Sequence, residues 1–311
     1  MSELSESELS DRFCDLVEAE LPLPGKGETL RRWQWLTTVA TEDLALAKLV
    51  ESHFDALAVL AELGAADLVG AGQRWAVWAA EPPNARLSLD AAGRVSGTKA
   101  WCSGADLVGH ALVTAWTTDG QPQLVAVDLD QPGIEPDSSA WAAVGMGRAL
   151  TPDLHFDAVP VTAVGRSGRY TERPGFWHGG AGVAACWYGG TLPIAEAVRR
   201  ARPGPHRDAH LGAIDVALRS LAALLRETAA EIDRQPDRNR MTEALRVRAA
   251  ADETARLVLD HAGRAVGAGP LCRDRAVARH FADLPVFIRQ THAEQDLAEL
   301  AARLDADGWS L

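Results

Sequence analysis

The chain changes its hydrophobic rhythm twice. From about Asp11 to Gly70 the apolar positions recur at mostly helical intervals. In "LTTVATEDLALAKLVESHFDALAVLAELGA" they are Leu44, Leu49, Phe54, Leu57, Leu60 and Leu63, set among many alanines. This predicts one long helix or a broken pair with a buried stripe. From about Gln73 to Tyr170 the texture becomes short β-rich runs, "RWAVWAAE", "RLSLDAAGRVSGTKAWCSGA", "HALVTAWTTDGQPQLVAVDLD" and "LTPDLHFDAVPV", parted by Gly, Pro, Asn and Asp. "TTDGQPQLV" carries the Asp-Gly of a hairpin turn and "LDAAGRVSG" supplies a second turn. Short strands with turns every roughly 8 to 12 residues predict an antiparallel barrel or sandwich, not a parallel sheet.

From about Arg173 to Leu304 the helical period returns, with breaks at "RARPGPHRD", "RQPDRNR" and "GAGPLCRDR". Leu211, Ile214, Leu218, Leu221, Leu225 and Ile232 follow the three-and-four spacing of a helix packed along a seam. Ala293, Leu297, Leu300 and Leu304 predict an apolar stripe on a last helix, with Arg289, His292 and Asp296 along its flank. Four helices, near 174–201, 207–233, 238–266 and 284–305, predict an antiparallel bundle. The expected fold class is therefore α+β: an N-terminal helical domain over residues 1–72, a β-domain over 73–172 and a four-helix bundle over 173–311.

A chain of 311 residues has room for two or three packed units and a sizeable core. No apolar stretch approaches the ~18 residues that span a bilayer, so no membrane role is expected. The start, "MSELSESELSDRF", is acidic and Ser-rich, with neither a basic end nor an apolar run. It reads as no secretory or mitochondrial address, and its first ten residues are expected to fray. Cys14, Cys102, Cys186 and Cys272 lie far apart with no C-x-x-C pair. That argues against a disulfide framework or a zinc knuckle and for the cytoplasm. The 43 Asp and Glu outnumber the 31 Lys and Arg, giving a net charge of −12 and no basic run to follow a phosphate backbone. Nucleic acid is excluded as a partner on that ground.

Several strings imitate chemistry that their context rejects. "GGAGVAA" at Gly179–Ala185 has the lettering of a dinucleotide turn, but no strand precedes it and it opens a helix, so its small residues read as close helix packing. "GAGPL" at Gly267–Leu271 lacks the Gly-Lys-Ser/Thr of a phosphate loop. The nine histidines form no H-E-x-x-H or H-x-H pattern, so no metal is expected. Ser103 lacks the G-x-S-x-G elbow of a hydrolase. His53 has no converging polar partner in sequence and reads as structural.

Four strings, in order, resemble the acyl-CoA dehydrogenase superfamily over roughly Thr38 to Leu304. "VSGTKAWCSGADLVGHALVTA" is similar to the family segment in which Gly-x-Lys precedes Trp-x-Thr or Trp-x-Ser and a strand. "VGMGRALTPDLHFDAVPV" resembles the stretch that closes its β-domain, "RAVGAGPLCRDRAVARHFADL" its Gln-x-x-Gly-Gly turn, and "FIRQTHAEQDLAEL" the last helix of its monooxygenase-like branches. The resemblance implies a flavin, FAD with FMN as the alternative, covered by Trp101 and hydrogen-bonded near N5 by the Ser103 hydroxyl. Ala80, in "WAAEPPN", stands where the family's Thr-Glu-Pro loop has its flavin-contacting threonine and offers only backbone. Arg264 stands at the glutamine of the Gln-x-x-Gly-Gly turn, with Gly267 within that turn. An arginine there has the geometry to bind a phosphate.

The chain also departs from that family. "PPNARL" replaces the Gly-Ser-Asp after the Thr-Glu-Pro loop, and the Arg-x-Phe-Gly string that reaches a neighbouring subunit's flavin is absent, leaving Arg202 or Arg207 as substitutes. "IRQTHAEQ" replaces the Tyr-Glu-Gly-Thr that supplies the base, so His292 and Glu294 are the candidate catalytic residues. The resemblance implies oxidation of a small-molecule acyl substrate, free or linked to CoA or a carrier, by α-proton removal and hydride transfer to flavin. Two alternatives stand beside it. One is a flavin monooxygenase on the same fold, with His292 and Ser103 close to the flavin edge that reacts with oxygen. The other is a non-catalytic partner subunit. Assembly through the bundle implies a homodimer or homotetramer.

Overall fold

Helix α1 (Glu6–Val17) starts at a capping box: the Ser5 hydroxyl accepts from the Glu8 N–H at 3.3 Å, and the Glu8 carboxylate accepts from the Ser5 N–H at 2.7 Å. The computed structural model describes residues 5–304. Of the first ten residues expected to fray, 1–4 lie outside the described residues, and the chain is helical from Glu6. The helical pattern expected as one helix or a broken pair resolves into α1, α2 (Thr29–Glu42) and α3 (Leu44–Glu62). α2 and α3 part at Asp43, whose backbone is extended and whose carboxylate accepts from the Leu46 N–H at 3.0 Å. That side-chain bond competes with helix continuation and caps the next helix instead.

Among the described residues eight strands follow: β1 (Trp75–Trp78), β2 (Leu87–Leu89), β3 (Arg94–Lys99), β4 (His110–Thr117), β5 (Pro122–Asp128), β6 (Ile134–Asp137), β7 (Asp153–Pro160) and β8 (Thr162–Ala163). They form one sheet in the order β6-β7-β3-β2-β4-β5-β8, with β1 also paired to β4. Both expected turns close hairpins, β2–β3 through Gly93 and β4–β5 through Gly120, each glycine at a positive φ. The sheet is mixed rather than wholly antiparallel, because β4 runs parallel to β1 over His110–Val113 and to β2 at Trp116–Thr117. Turn signals report only neighbours in sequence. The link from β1 back to β4 carries a whole hairpin, long enough for the crossover that parallel pairing needs.

The C-terminal helices are α4 (Arg169–Glu172), α5 (Pro174–Arg200), α6 (Pro205–Arg234), α7 (Met241–Val266), α8 (Ala268–Arg273), α9 (Arg275–Phe287) and α10 (Glu294–Ala301). α5, α6 and α7 match the first three expected helices. The fourth, expected over 284–305, does not form as one piece. The chain leaves α9 through a single 3-10 turn, Ile288–Gln290, and reverses at Ala293, whose φ of 46° is rare for a residue with a Cβ. Asp296 accepts from the His292 N–H at 2.9 Å and closes the break. Leu297 and Leu304 of the expected buried stripe are about half exposed, at 51% and 47%.

The helices before and after the sheet share one core, in which Phe13, Trp33 and Leu36 meet Trp187, Ile214 and Phe287. α5 admits α2 and α3 through its glycines. A Cβ at Gly189 would lie 2.5 Å from the Thr37 carbonyl oxygen, and one at Gly190 2.7 Å from Leu44. Within the run Gly179–Ala185 itself, a Cβ at Gly182 would lie 3.0 Å from Trp33 Nε1, and Ala181, Ala184 and Ala185 are buried, so these small residues pack α5 against its neighbours. The sheet buries both faces: Trp78, Val95, Val113 and Phe156 fill one side, while Trp75, Leu112 and Leu124 pack with Val59 and Leu60 of α3 on the other. α3 therefore stands between sheet and bundle.

Candidate functional site

The segment after β3, "AWCSGAD", is pinned by its backbone. Cys102 N–H donates to Pro152 O at 3.0 Å and Gly104 N–H to Leu150 O at 2.9 Å. Gly104 has a φ of 70° and lies so close to α3 that a Cβ would come within 2.5 Å of Leu49. Around these anchors the side chains part. Cys102 points inward, where burial raises its thiol pKa and Sγ donates to Lys99 O. Trp101, at a φ of 63°, points outward and is 56% exposed. Ser103 turns in beneath it and is buried, its Oγ 3.1 Å from the Thr151 hydroxyl, while Trp78 Nε1 donates to its carbonyl.

Trp101 and Ser103 line a cavity of about 880 Å³ at the junction of α3, the sheet and the C-terminal helices. That volume lies within the roughly 300–1,000 Å³ typical of small-molecule and cofactor sites. The sheet contributes Trp78 and Trp116, the segment after β1 contributes Ala80, α3 contributes Lys48, Glu51 and Asp55, and the far wall contributes Arg248, Phe287 and His292. A second space of about 220 Å³ adjoins it and shares Glu51, Asp55, Tyr170, Arg248 and His292.

Two polar systems frame the cavity. On the sheet side, the buried Lys99 ammonium donates to Glu81 and Thr114, and Glu81 also accepts from Thr114 Oγ1 and from Trp116 Nε1 at 3.0 Å. Burial pushes the Glu81 carboxyl up, but its bonds from Thr114, Lys99 and Trp116 together hold it below the usual range. On the helix side, Glu51 is pushed up by burial, although Lys48 lies 3.5 Å away. Arg248 donates to Gly180 O at 2.9 Å and Gln290 O at 2.7 Å, with its guanidinium 4.9 Å from the Trp187 ring centre. It thereby ties α5, α7 and the segment after α9 together.

The sequence-derived residues divide. Ala80, Trp101, Ser103 and His292 border the cavity. His292 is exposed at its rim, with Nδ1 3.3 Å from Asp296. Glu294 sits exposed in the first turn of α10 and does not line the cavity; the break before α10 swings it away from the phase expected of a continuous helix. Arg264, paired with Asp260, and Gly267, which follows α7, are exposed and also off the cavity wall. Sequence reasoning missed the α3 wall. Its signal was present: Lys48, Glu51, Ser52 and Asp55 fall at i, i+3, i+4 and i+7, a polar stripe on an otherwise apolar helix.

The space is walled by aromatic side chains and by the buried hydroxyl residues Ser52, Ser103, Thr114 and Thr151, a lining that suits a flat heteroaromatic ring. Among the described residues no group of three or more His, Cys, Asp or Glu gathers to hold a metal ion, and no helix is long and apolar enough to cross a membrane.

No family model matches the sequence, and no curated protein does. Solved structures match over nearly the whole chain. Dibenzothiophene monooxygenase TdsC from Paenibacillus sp. A11-2, solved with FMN and indole, superposes with a TM-score of 0.77 at 18% identity, covering 98% of this chain and 97% of that one. KijD3, solved with FMN and a dTDP-linked 3-amino sugar, gives a TM-score of 0.79 at 18% identity, covering 97% and 88%. Butyryl-CoA dehydrogenase from Megasphaera elsdenii gives 0.76 at 14% identity, covering 97% and 98%. With its helices, curled mixed sheet and C-terminal helices in this order, the chain has the acyl-CoA dehydrogenase fold.

Proposed function

We propose that this chain is a flavin-dependent oxidoreductase whose flavin ring occupies the cavity between the sheet and the C-terminal helices. The observation that supports it most is the pairing of an outward indole and an inward hydroxyl, Trp101 and Ser103, on one wall of that cavity. Bound there, the flavin would supply two-electron redox chemistry with a substrate or with oxygen. The chain's own residues do the rest. Trp101 stacks on and shields the ring, Ser103 and Thr151 offer hydroxyls to its polar edge, and Ala80 contributes backbone only. FMN-bound relatives of the same fold favour FMN, and FAD is the alternative.

Of the chemistries open to such a site, we favour monooxygenation of a small molecule. Glu294 lies off the cavity wall, whereas His292 stands at its rim, held by Asp296, where it can pass a proton to the reacting edge. Dehydrogenation of an acyl thioester is the second reading. The carboxyl groups of Glu51 and Asp55 on the opposite wall favour it, since either has the chemistry of an α-proton base. Assembly as a homodimer or homotetramer through α6 belongs to the same proposal, because Val216 is 67% exposed on that helix.

The test is to add FMN or FAD to the purified protein, pass it through a desalting column and record the absorbance near ~450 nm, where bound flavin is seen. Retained yellow colour is expected, and a protein that stays colourless with both overturns the proposal. Anaerobic acyl-CoA separates the two chemistries, because bleaching marks the dehydrogenase and an unchanged spectrum the monooxygenase.

A further inference from the structure

We infer that the α3 end of the cavity binds its substrate through a protonated amine, with the Asp55 carboxylate as counter-ion. The inference rests on the reading of the cavity as the substrate space of a flavoenzyme, and it names the class of substrate. The charged groups of this wall are almost all satisfied within the chain. Glu51 faces Lys48 at 3.5 Å, His292 is held by Asp296, and Arg248 donates to two backbone carbonyls. Asp55 differs. It lines both the main cavity and the adjoining space, and no described residue gives it a hydrogen bond or an ion pair within 4 Å. Arg32, behind the wall, acts on it only at longer range and spends a donor on Pro22 O.

The surroundings of that carboxylate suit a cation. Tyr170 and Phe176 line the same two spaces, edge to face with ring centres 5.4 Å apart, and Arg173, which also lines the smaller space, is engaged by Glu62 at 2.7 Å and lies over the Tyr170 ring at 5.2 Å, so it gives Asp55 no ion pair. The backbone also makes room for it. A Cβ at Gly179 of α5 would stand 2.6 Å from Asp55 Oδ1, so glycine is what lets the carboxylate rest there. The adjoining space, about 220 Å³, accepts a small head group while the rest of the ligand extends toward Trp101. A carboxylate with no internal partner in a partly enclosed site selects the ligand that supplies the missing charge.

The experiment is isothermal titration calorimetry of the full chain, with and without FMN, using three probes of one size: 2-phenylethylamine, 2-phenylethanol and 3-phenylpropionate. The amine is expected to bind about tenfold or more tighter than the alcohol, and the acid no tighter than the alcohol. Asp55→Asn removes the preference for the amine and leaves the alcohol within about twofold. Gly179→Ala, a good helix residue that crowds the carboxylate, lowers the same preference and serves if Asp55→Asn does not fold. Equal affinity for the three probes, tighter binding of the acid, no binding of the amine, or an amine preference that survives both substitutions overturns the inference. A protein that takes up no flavin yet prefers the amine overturns only the flavin proposal, and a yellow protein without the preference overturns only this one.

Discussion

Lys99 Nζ lies 2.9 Å from Glu81 Oε1, and the two side chains differ sharply in exposure, 2% for the lysine against 31% for the glutamate. The ammonium also donates to Thr114 Oγ1 at 2.7 Å and Thr114 O at 3.3 Å, so its three protons meet three acceptors. This knot joins the end of β3 to the segment after β1 and to β4. It also fixes Trp116, which Arg86 covers at 3.6 Å. Removing one partner of a buried pair strands the other, and the penalty falls on whichever charge is less able to reach water. Glu81→Ala is therefore expected to cost about 3–5 kcal/mol, and Lys99→Met distinctly less. Urea denaturation of both variants checks the order, and the reverse order would refute the account.

Trp101 combines a strained backbone with an exposed ring. Its φ of 63° costs a residue with a Cβ on the order of 1 kcal/mol, which glycine escapes. Trp101→Gly is therefore expected to raise the thermal midpoint by a few degrees and to weaken flavin binding by about tenfold or more through lost stacking. Opposite signs in the two measurements distinguish a ring-covering role from packing. A lower midpoint with flavin binding intact would make Trp101 an ordinary structural residue.

The sequence made the order of elements plain because the hydrophobic period switches at the right places. It made three of the bundle helices plain because Pro and Gly punctuate them. What escaped was decided by single side-chain bonds. Ser5 and Glu8 spell a capping box within a run that reads as a frayed acidic start. Asp43 cuts the helical run at a position that hydrophobic periodicity does not mark. Asp296 caps the chain at His292 and turns Glu294 away from the cavity. At the site, Trp101 and Ser103 were legible through family strings. The α3 wall was legible only as charged residues at helical spacing, and their common face became a cavity wall once the sheet and bundle closed around it.

The glycines of α5 should respond in opposite directions. Gly189→Leu would drive a side chain into the Thr37 carbonyl and Ala40, at 2.5 and 2.8 Å from the Cβ alone. It is expected to cost about 3 kcal/mol through overpacking and separation of α2 from α5. At Gly180, which has nothing within 4 Å of its Cβ position, alanine adds helix propensity and is expected to stabilise by about 0.5–1 kcal/mol. Chemical denaturation of the two variants tests whether close approach, rather than flexibility, explains the glycine at position 189. Tolerance of leucine at 189 would reject it.

His53 is 2% exposed and its Nδ1 accepts the Trp75 N–H at 3.1 Å, which ties α3 to β1 directly beside the cavity wall. Burial holds its pKa down at about 4, because a charged ring would lack water and a proton on Nδ1 would break that bond. The unfolded chain binds this proton with an ordinary pKa of about 6.5, so between the two values the unfolded state carries more protons. The stabilisation is thus complete above about pH 6.5 and is lost as pH falls toward about 4, amounting to roughly 3 kcal/mol. His178, also lowered by burial, contributes in the same direction, so the measurement must be a difference. His53→Gln keeps an acceptor for Trp75 but does not titrate. Its denaturation free energy is expected to be flatter than that of the parent from pH 6.5 to 4, and parallel curves, or an imidazole titrating near 6.5 by NMR, would show that the ring is open to water.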